Sequence, residues 1–343
     1  MPVLRKQTGP SSGSMARSNG GSSLPLVVAL NCVQDTAVES AILGDVAHVE
    51  MVSDTAGNPD LVAKAKVVTL MSLGDVTERT QSYIRRADLV ICMGASDTAA
   101  EDELAEELGV ARITHVAADL TDEASDTALS LLLGLLRRTQ VLAATCKRGY
   151  WASNPAMLKG IRRASGLTLG LLGLDPVALG VARRAMGCGM RVIYFAHDAP
   201  PALAKKAATW NVERVRSLEE CLERSDALSV HMQATDATRH LVNAGNIGYL
   251  RKGALVVNIS SGQLVESGSL KKGLLSGAIG GAALDAAEGA EWFEAWVREL
   301  PNLILTPRCA WYSEQSFLQM RAAAADVAKT FLTTGKVLSV GAA

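Results

Sequence analysis

From Leu24 onward, short apolar runs alternate with segments whose apolar residues recur at helical spacing. The runs at 26–31 (LVVALN), 48–52 (HVEMV), 66–71 (KVVTLM), 87–94 (ADLVICMG) and 111–116 (ARITHV) read as strands. Between them, 77–86 and 98–109 have helical character, and Thr98 with Glu101 stands at capping-box spacing. Strand and helix alternating in this way predict a parallel, doubly wound sheet. Residues 121–148 (TDEASDTALSLLLGLLRRTQVLAATCKR) begin acidic, turn apolar and end basic. That order suits the helix dipole and predicts one long helix bridging two domains, with 148–166 as a linking loop carrying a short helix.

The stretch Thr168–Asp198 (TLGLLGLDPVALGVARRAMGCGMRVIYFAHD) has the strand, tight turn, helix, strand order of a dinucleotide-binding unit. Laid on G-x-G-x-x-G, its turn reads Gly173, Leu174, Asp175, Pro176, Val177, Ala178, so only the first glycine stands. The second glycine normally lets the backbone approach a pyrophosphate, and here that position carries an anionic side chain. An aspartate about 4 Å from a phosphate charge is repelled by about 1 kcal/mol in water and about 4 kcal/mol at an effective dielectric of 20. Asp175 can instead bond the free amides of a helix starting at Pro176, a residue suited to the first helical position. The acidic residue expected at the end of the second strand, to hold a ribose hydroxyl, is Ala196. The fold signal is good and the cofactor signal is damaged, so the expectation is no firmly held cofactor and at most weak NAD(H) binding.

Further strand signals lie at 211–215, 227–231, 254–259, 280–284 and 303–305, and Ser217 with Glu220 makes a second capping-box match. From Ser313 about twenty residues turn helical, which suits a last helix packing back on the first domain. The expected architecture is α/β, with two doubly wound parallel-sheet domains. A discontinuous flavodoxin-like domain takes 24–121 and 318–343, and a Rossmann, nucleotide-binding-like domain takes 122–317. Residues 1–23, rich in Ser and Gly and without the apolar core of a secretory signal, read as a disordered lead.

Composition narrows the function classes. A chain of 343 residues that is 48% hydrophobic is long enough for two cores. A formal net charge of −1 with no extended basic run gives no reason to expect direct nucleic-acid binding. No apolar stretch is long enough for a membrane span. Six scattered cysteines, none in C-x-x-C, read as reduced and buried thiols of an intracellular protein.

Six blocks, at 131–139, 169–180, 225–243, 252–270, 280–289 and 301–315, recur in order. Through them residues 24–335 resemble the D-isomer-specific 2-hydroxyacid dehydrogenase family and, within it, the C-terminal-binding protein (CtBP) branch of corepressors. The phrase AEGAEWFEAWVRELPN (287–302) resembles plant members of that branch more than animal ones. The resemblance implies a 2-keto acid held by an arginine, a histidine as general acid and a glutamate keeping that histidine protonated. The block N-T-A-R-G reads Asn258-Ile259-Ser260-Ser261-Gly262, placing Ser261 where the arginine belongs. T-P-H-x-A-W reads Thr306-Pro307-Arg308-Cys309-Ala310-Trp311, placing Arg308 where the histidine belongs, and a guanidinium does not give up its proton in a protein. Glu288 stands at the glutamate position with its partner lost. His48, His115, His197, His231 and His240 all lie away from the acid's place. The turn meant for the substrate carboxylate, G-S-G, reads Gly94-Ala95-Ser96. The cofactor side, as far as it persists, would be Gly173, Asp175, Pro176, Val177, Ala196, His231 and Asp285; no metal site is expected.

Two tryptophans, Trp292 and Trp296, read as one buried amphipathic helix rather than a recognition stripe, and Trp311 as a filler or ligand contact in the active-site cleft. Glu50 lies where motif-binding members present an apolar wall to short acidic peptides, which it would disfavour. The reading that the resemblance implies is a non-catalytic dehydrogenase-like scaffold or co-regulator, homodimeric through the nucleotide-type domain, with regulatory or cytoskeletal protein partners. Its implied roles are cell-shape control through microtubule or Golgi organisation and transcriptional co-repression, in the cytoplasm with nuclear or Golgi-associated pools. The alternatives are an NAD(P)-dependent 2-hydroxyacid oxidoreductase with an altered site, using Glu288 or a water as acid, and an NAD(H)-responsive dimeric sensor.

Overall fold

Five runs of apolar residues near the N-terminus pair as a parallel sheet in the order β2-β1-β3-β4-β5, where β1 is Leu26–Leu30, β2 His48–Val52, β3 Val67–Leu70, β4 Leu89–Cys92 and β5 Ile113–His115. This is the doubly wound, flavodoxin-like order. Every residue of β3 and β4 is buried, because helices cover a parallel sheet on both faces and leave no place for alternating polar positions. The computed structural model describes residues 24–31, 34–55, 59–94, 98–116, 119–150 and 158–337. The lead at 1–23, Cys32, Ala95, Ser96 and most of the linking loop's first half lie outside the described residues. The chain divides into two units, one of residues up to 117 together with 320–341, the other of 118–319.

In the first unit the helices before the sheet's end are α1 (Ala37–Leu43), α2 (Glu78–Ile84) and α3 (Thr98–Leu108). Thr98 is already inside α3, and Glu101 does not close a capping box. Its buried carboxylate reaches across to β3's exit, accepting from the Ser72 hydroxyl and, at 2.7 Å, from the Leu73 amide. A carboxylate taken out of water needs such donors, and two on a neighbouring loop outweigh one local amide.

The second unit opens with α4 (Thr121–Arg137) and α5 (Thr139–Lys147), which replace the single long helix expected there. The axis bends by 66° at Arg138, whose φ is +53°. Through α4 the apolar face buries Leu131, Leu132, Leu135 and Leu136, whereas α5 buries no residue. The helix therefore stops following the core where its apolar stripe ends. Arg138 donates to the Lys159 carbonyl at 2.6 Å, offsetting the roughly 1–2 kcal/mol cost of a left-handed non-glycine residue. No single helix among the described residues is long and apolar enough to cross a membrane.

The rest of this unit alternates β6 (Thr168–Leu172), α6 (Pro176–Gly187), β7 (Arg191–Phe195), α7 (Pro201–Thr209), β8 (Glu213–Arg214), α8 (Leu218–Arg224), β9 (Ala227–Val230), β10 (Ala254–Asn258), α9 (Ser267–Ser276), β11 (Ile279–Leu284), α10 (Ala295–Glu299) and β12 (Leu303–Leu305). All strands run parallel in the order β12-β11-β10-β9-β6-β7-β8. The chain winds outward from β6 to β8, then returns to lay β9 on β6's other side. The order thus reverses between β6 and β9, the place where open α/β sheets present a crevice at their strand C-termini. Trp292 and Trp296 do not share one helix. A short 3-10 turn, Ala290–Phe293, carries the first, α10 the second, and extended Glu294 separates them. Their rings still pack, with centroids 5.8 Å apart. Of the five described cysteines, Cys92 and Cys221 are buried, Cys146 and Cys188 half-buried and Cys309 exposed, so burial is less general than their apolar surroundings suggest. Burial pushes the Cys221 thiol up to about 12.

The closing helix α11 (Glu314–Thr334) gives its later turns to the first unit. There the buried Arg321 guanidinium grips the buried Glu39 carboxylate through two bonds of 2.8 and 2.7 Å and adds the Asp35 carbonyl at 2.7 Å. A bidentate pair of this kind fixes register more than it adds net stability, but losing one partner strands the other's charge. Arg321→Leu should lower the first unit's stability by about 3–5 kcal/mol in urea melts followed by circular dichroism, and adding Glu39→Leu should recover most of that loss. A single variant as stable as the parent would show that Glu39 is resolvated without it.

Candidate functional site

The crevice between β6 and β9 begins at Gly173, whose φ is +102°. A Cβ there would lie 2.0 Å from the His231 carbonyl oxygen, so only glycine lets β6 end this close to β9. Its amide donates to the Phe195 carbonyl at 2.8 Å. Two residues on, Asp175 is extended, and its Oδ1 accepts from the Ala178 amide at 2.6 Å. Asp175 thus caps α6, and Pro176 begins the helix without wasting a donor. Val177 packs its turn on α4, accepting through its carbonyl from the buried Ser125 hydroxyl at 3.1 Å. The donor that a bound phosphate would use is therefore engaged by a carboxylate of the same chain.

The remaining positions on this side follow suit. His231 is buried; its Nε2 lies 2.8 Å from the Ser229 hydroxyl, and its amide donates to the Leu172 carbonyl at 2.7 Å. Burial holds its pKa below the usual histidine value, with the nearby Asp175 charge pulling the other way. Ala196, at the end of β7, is buried and offers no carboxylate; its carbonyl accepts from Arg214 at 3.0 Å. A dinucleotide needs free amides at the helix and an acceptor for its ribose. Here the Ala178 amide is already engaged and the ribose acceptor is missing, so these residues do not fit an unmodified NAD.

A second cluster forms at the ends of β10 and β11. The buried Asn258 donates to the Ser261 carbonyl at 2.7 Å and accepts from the Ser260 amide at 3.1 Å, fixing the turn that carries Ser261. The Ser261 hydroxyl accepts from the Gln263 amide at 3.3 Å and brings no charge. At Gly262 a Cβ would stand 2.3 Å from the Glu288 amide nitrogen, so this turn and Glu288 sit backbone to backbone. Ser267 and Trp292 donate to the Glu288 carbonyl at 2.6 and 3.0 Å.

Glu288 is nonetheless paired, with residues outside the acid's place. Its carboxylate accepts from Arg239 at 2.6 Å and lies 2.8 Å from His240 Nε2. His240 is one of the five histidines that sequence reasoning set aside, because 48 residues and no motif link it to Glu288. A signal was available: the loop after β9 and the loop after β11 leave the same edge of a sheet in which only β10 separates them. His240 itself is held at φ +50°, its amide donating to the Gln263 carbonyl at 2.7 Å. The remaining histidines pair elsewhere, His48 with Glu50 and His115 with Asp102, each at 2.8 Å, while His197 meets the Phe195 ring edge-on at 5.0 Å.

Asp285, expected on the cofactor side, instead ties down the loop carrying Arg308. Its buried carboxylate accepts from the Thr306 hydroxyl at 2.6 Å and from the Cys309 and Ala310 amides at 3.0 and 2.9 Å. Arg308 is exposed at the tip of that loop with φ +54°, and Trp311 donates to its carbonyl at 2.8 Å rather than reaching outward. Burial and the Asp285 charge push the Cys309 thiol up, away from reactivity. Among the described residues no group of three or more His, Cys, Asp or Glu is placed to hold a metal ion. A cavity of about 790 Å³ opens at the opposite end of the sheet, near Gly253, Gly280 and Asn302, away from all of these groups.

Residues 129–310 match the family described as D-isomer specific 2-hydroxyacid dehydrogenase, NAD binding domain. The chain is 36% identical over 325 residues to C-terminal binding protein AN (ANGUSTIFOLIA) of Arabidopsis thaliana, covering 92% of this chain and 50% of that protein. It is 30% identical over 319 residues to C-terminal-binding protein 1 of Caenorhabditis elegans, covering 90% of this chain and 43% of that protein. The chain thus spans half the length, or somewhat less, of these curated relatives. Among solved structures, the pyruvate reductase of Chlamydomonas reinhardtii has a TM-score of 0.76, covering 93% of this chain and 99% of that one. Its 19% identity speaks for the fold alone. With strand order, sequence blocks and relatives in agreement, the chain belongs to the D-isomer specific 2-hydroxyacid dehydrogenase family and to its C-terminal-binding-protein branch.

Proposed function

We propose that this chain is a non-catalytic, dehydrogenase-like scaffold or co-regulator of the plant CtBP kind. The observation that carries the reading is the replacement of both reacting groups, with Ser261 where a charged fork would bind the substrate carboxylate and Arg308 where a proton donor would stand. Glu288, the surviving member of the set, is paired with Arg239 and lies within hydrogen-bond distance of His240. The carboxylate that would hold a catalytic histidine is thereby turned to a structural task, joining the loops after β9 and β11.

Two nucleotide-type units would pair in a homodimer that presents surfaces to regulatory or cytoskeletal proteins. By likeness to the plant relative, the setting is cell-shape control through microtubule or Golgi organisation in the cytoplasm, with transcriptional co-repression in the nucleus. Sedimentation at micromolar protein should give a dimer; monomer alone would contradict the pairing. A panel of 2-keto acids with NADH should give no saturable reduction, and turnover above about 1 per second, ordinary enzyme territory, would sink the reading.

One observation favours a second reading, an oxidoreductase with displaced chemistry: the hydrogen bond that joins His240 to Glu288. A carboxylate-held histidine is the usual form of a general acid. On that reading His240→Gln should remove whatever turnover the parent has by about 10²–10⁴-fold, whereas on the scaffold reading parent and variant are equally inactive.

A further inference from the structure

Helix α6 is twelve residues long, and its first turn ought to attract an anion. The anion is supplied from within. Asp175 has its backbone extended and its carboxylate 2.6 Å from the Ala178 amide, at the position of the glycine that would admit a pyrophosphate. Everything behind it keeps the shape of a ligand turn. Gly173 retains the positive φ and the close approach to β9, and Gly180 still lets α6 lie against Ser125, whose hydroxyl would be 2.2 Å from an added Cβ. The departure from a working site on the pyrophosphate side thus comes down to the Asp175 side chain and to Pro176, which has no amide to donate. On the ribose side it is of a different kind. Ala196 removes the acid that selects a free 2′-hydroxyl, and Arg214 places its guanidinium 3.0 Å from the Ala196 carbonyl. An arginine beside that strand end is the group that accommodates a 2′-phosphate.

We propose that the Asp175 carboxylate is a built-in substitute for a dinucleotide's pyrophosphate, and that removing it converts this unit into a binder of adenine dinucleotides that favours the 2′-phosphorylated form. The inference rests on reading the unit as a nucleotide-type frame that no longer holds its ligand. It concerns binding only, so its failure and that of the scaffold reading are separable. A parent chain that binds NADPH tightly without turnover ends this proposal and leaves the scaffold reading in place, while turnover would end the latter whichever way the variants behave.

The test is fluorescence and calorimetric titration of the 343-residue chain and its variants with NADH and NADPH. The parent should show no saturable binding of either. Asp175→Gly, a tolerated helix cap, should lower the dissociation constant at least about tenfold and favour NADPH over NADH; Arg214→Gln added to it should erase that preference. Asp175→Asn keeps the cap without the charge, so it should fold even where the glycine variant does not, and should gain less than a folded glycine variant. Parent binding equal to that of Asp175→Gly overturns the proposal. So does a folded Asp175→Gly that stays silent, an asparagine variant no better than the parent, or a gain from asparagine equal to that from glycine. A preference for NADH, or one indifferent to Arg214, overturns the assignment of the 2′-phosphorylated form.

Discussion

The hydrogen bond from the Ala178 amide to the Asp175 carboxylate decides what the second unit can be. A helix that starts at the C-terminal end of a buried parallel strand leaves amides without partners, and they must find an acceptor. In a dinucleotide-binding protein the acceptor is the ligand, and the turn must then be bare backbone. Here the chain provides its own acceptor for the Ala178 amide, so that donor needs no ligand. Gly173 could not be exchanged in the same way, because β9's backbone occupies the space beside it. The two positions of one motif have therefore parted company: the one that serves the fold keeps its glycine, and the one that serves a ligand does not.

The same division runs through the turns after β10 and β11, at the same strand ends of the sheet. Asn258, Gly262 and Asp285 hold the turns after β10 and β11 and the Thr306–Ala310 loop in place through buried hydrogen bonds and close backbone packing. The side chains these turns present, Ser261 and Arg308, lack the chemistry that the turns are built to aim. Glu288 shows how such a group is reabsorbed. A carboxylate 28% exposed and paired with both an arginine and a histidine is well satisfied, and it binds the loop after β9 to the end of β11. On the proposed non-catalytic reading, a residue released from its reaction is not left idle, because a partly buried charge still needs partners.

Much of this was legible in the sequence. Most strands follow apolar runs legible along the chain, since strands covered on both faces must be nearly all apolar, whereas β8, the exposed pair Glu213–Arg214, lies at the sheet edge. Even Asp175's capping role could be read locally, because a cap and its amide lie three residues apart. What escaped was set by geometry at longer range. The break at Arg138 depends on where the core surface ends and on a carbonyl at Lys159, neither visible in a helical pattern that continues through it. The Trp292 and Trp296 spacing imitates one helix although two short elements carry them. His240 meets Glu288 only through sheet order, and Glu101 leaves a local capping role because the loop after β3 offers better donors.

On the proposed reading a dehydrogenase frame is intact while its hydride-transfer apparatus is gone. The most direct measurement is isotopic: incubate the chain with 4-deuterated NADH and NADPH and a mixture of 2-oxo acids, then look for deuterium on carbon 2 of the hydroxy acids by mass spectrometry. This reads transfer itself, however slow, and does not depend on how tightly the cofactor is held. Label should appear no faster than in a protein-free control. Stereospecific label accumulating in proportion to protein, and lost with His240→Gln, would contradict it.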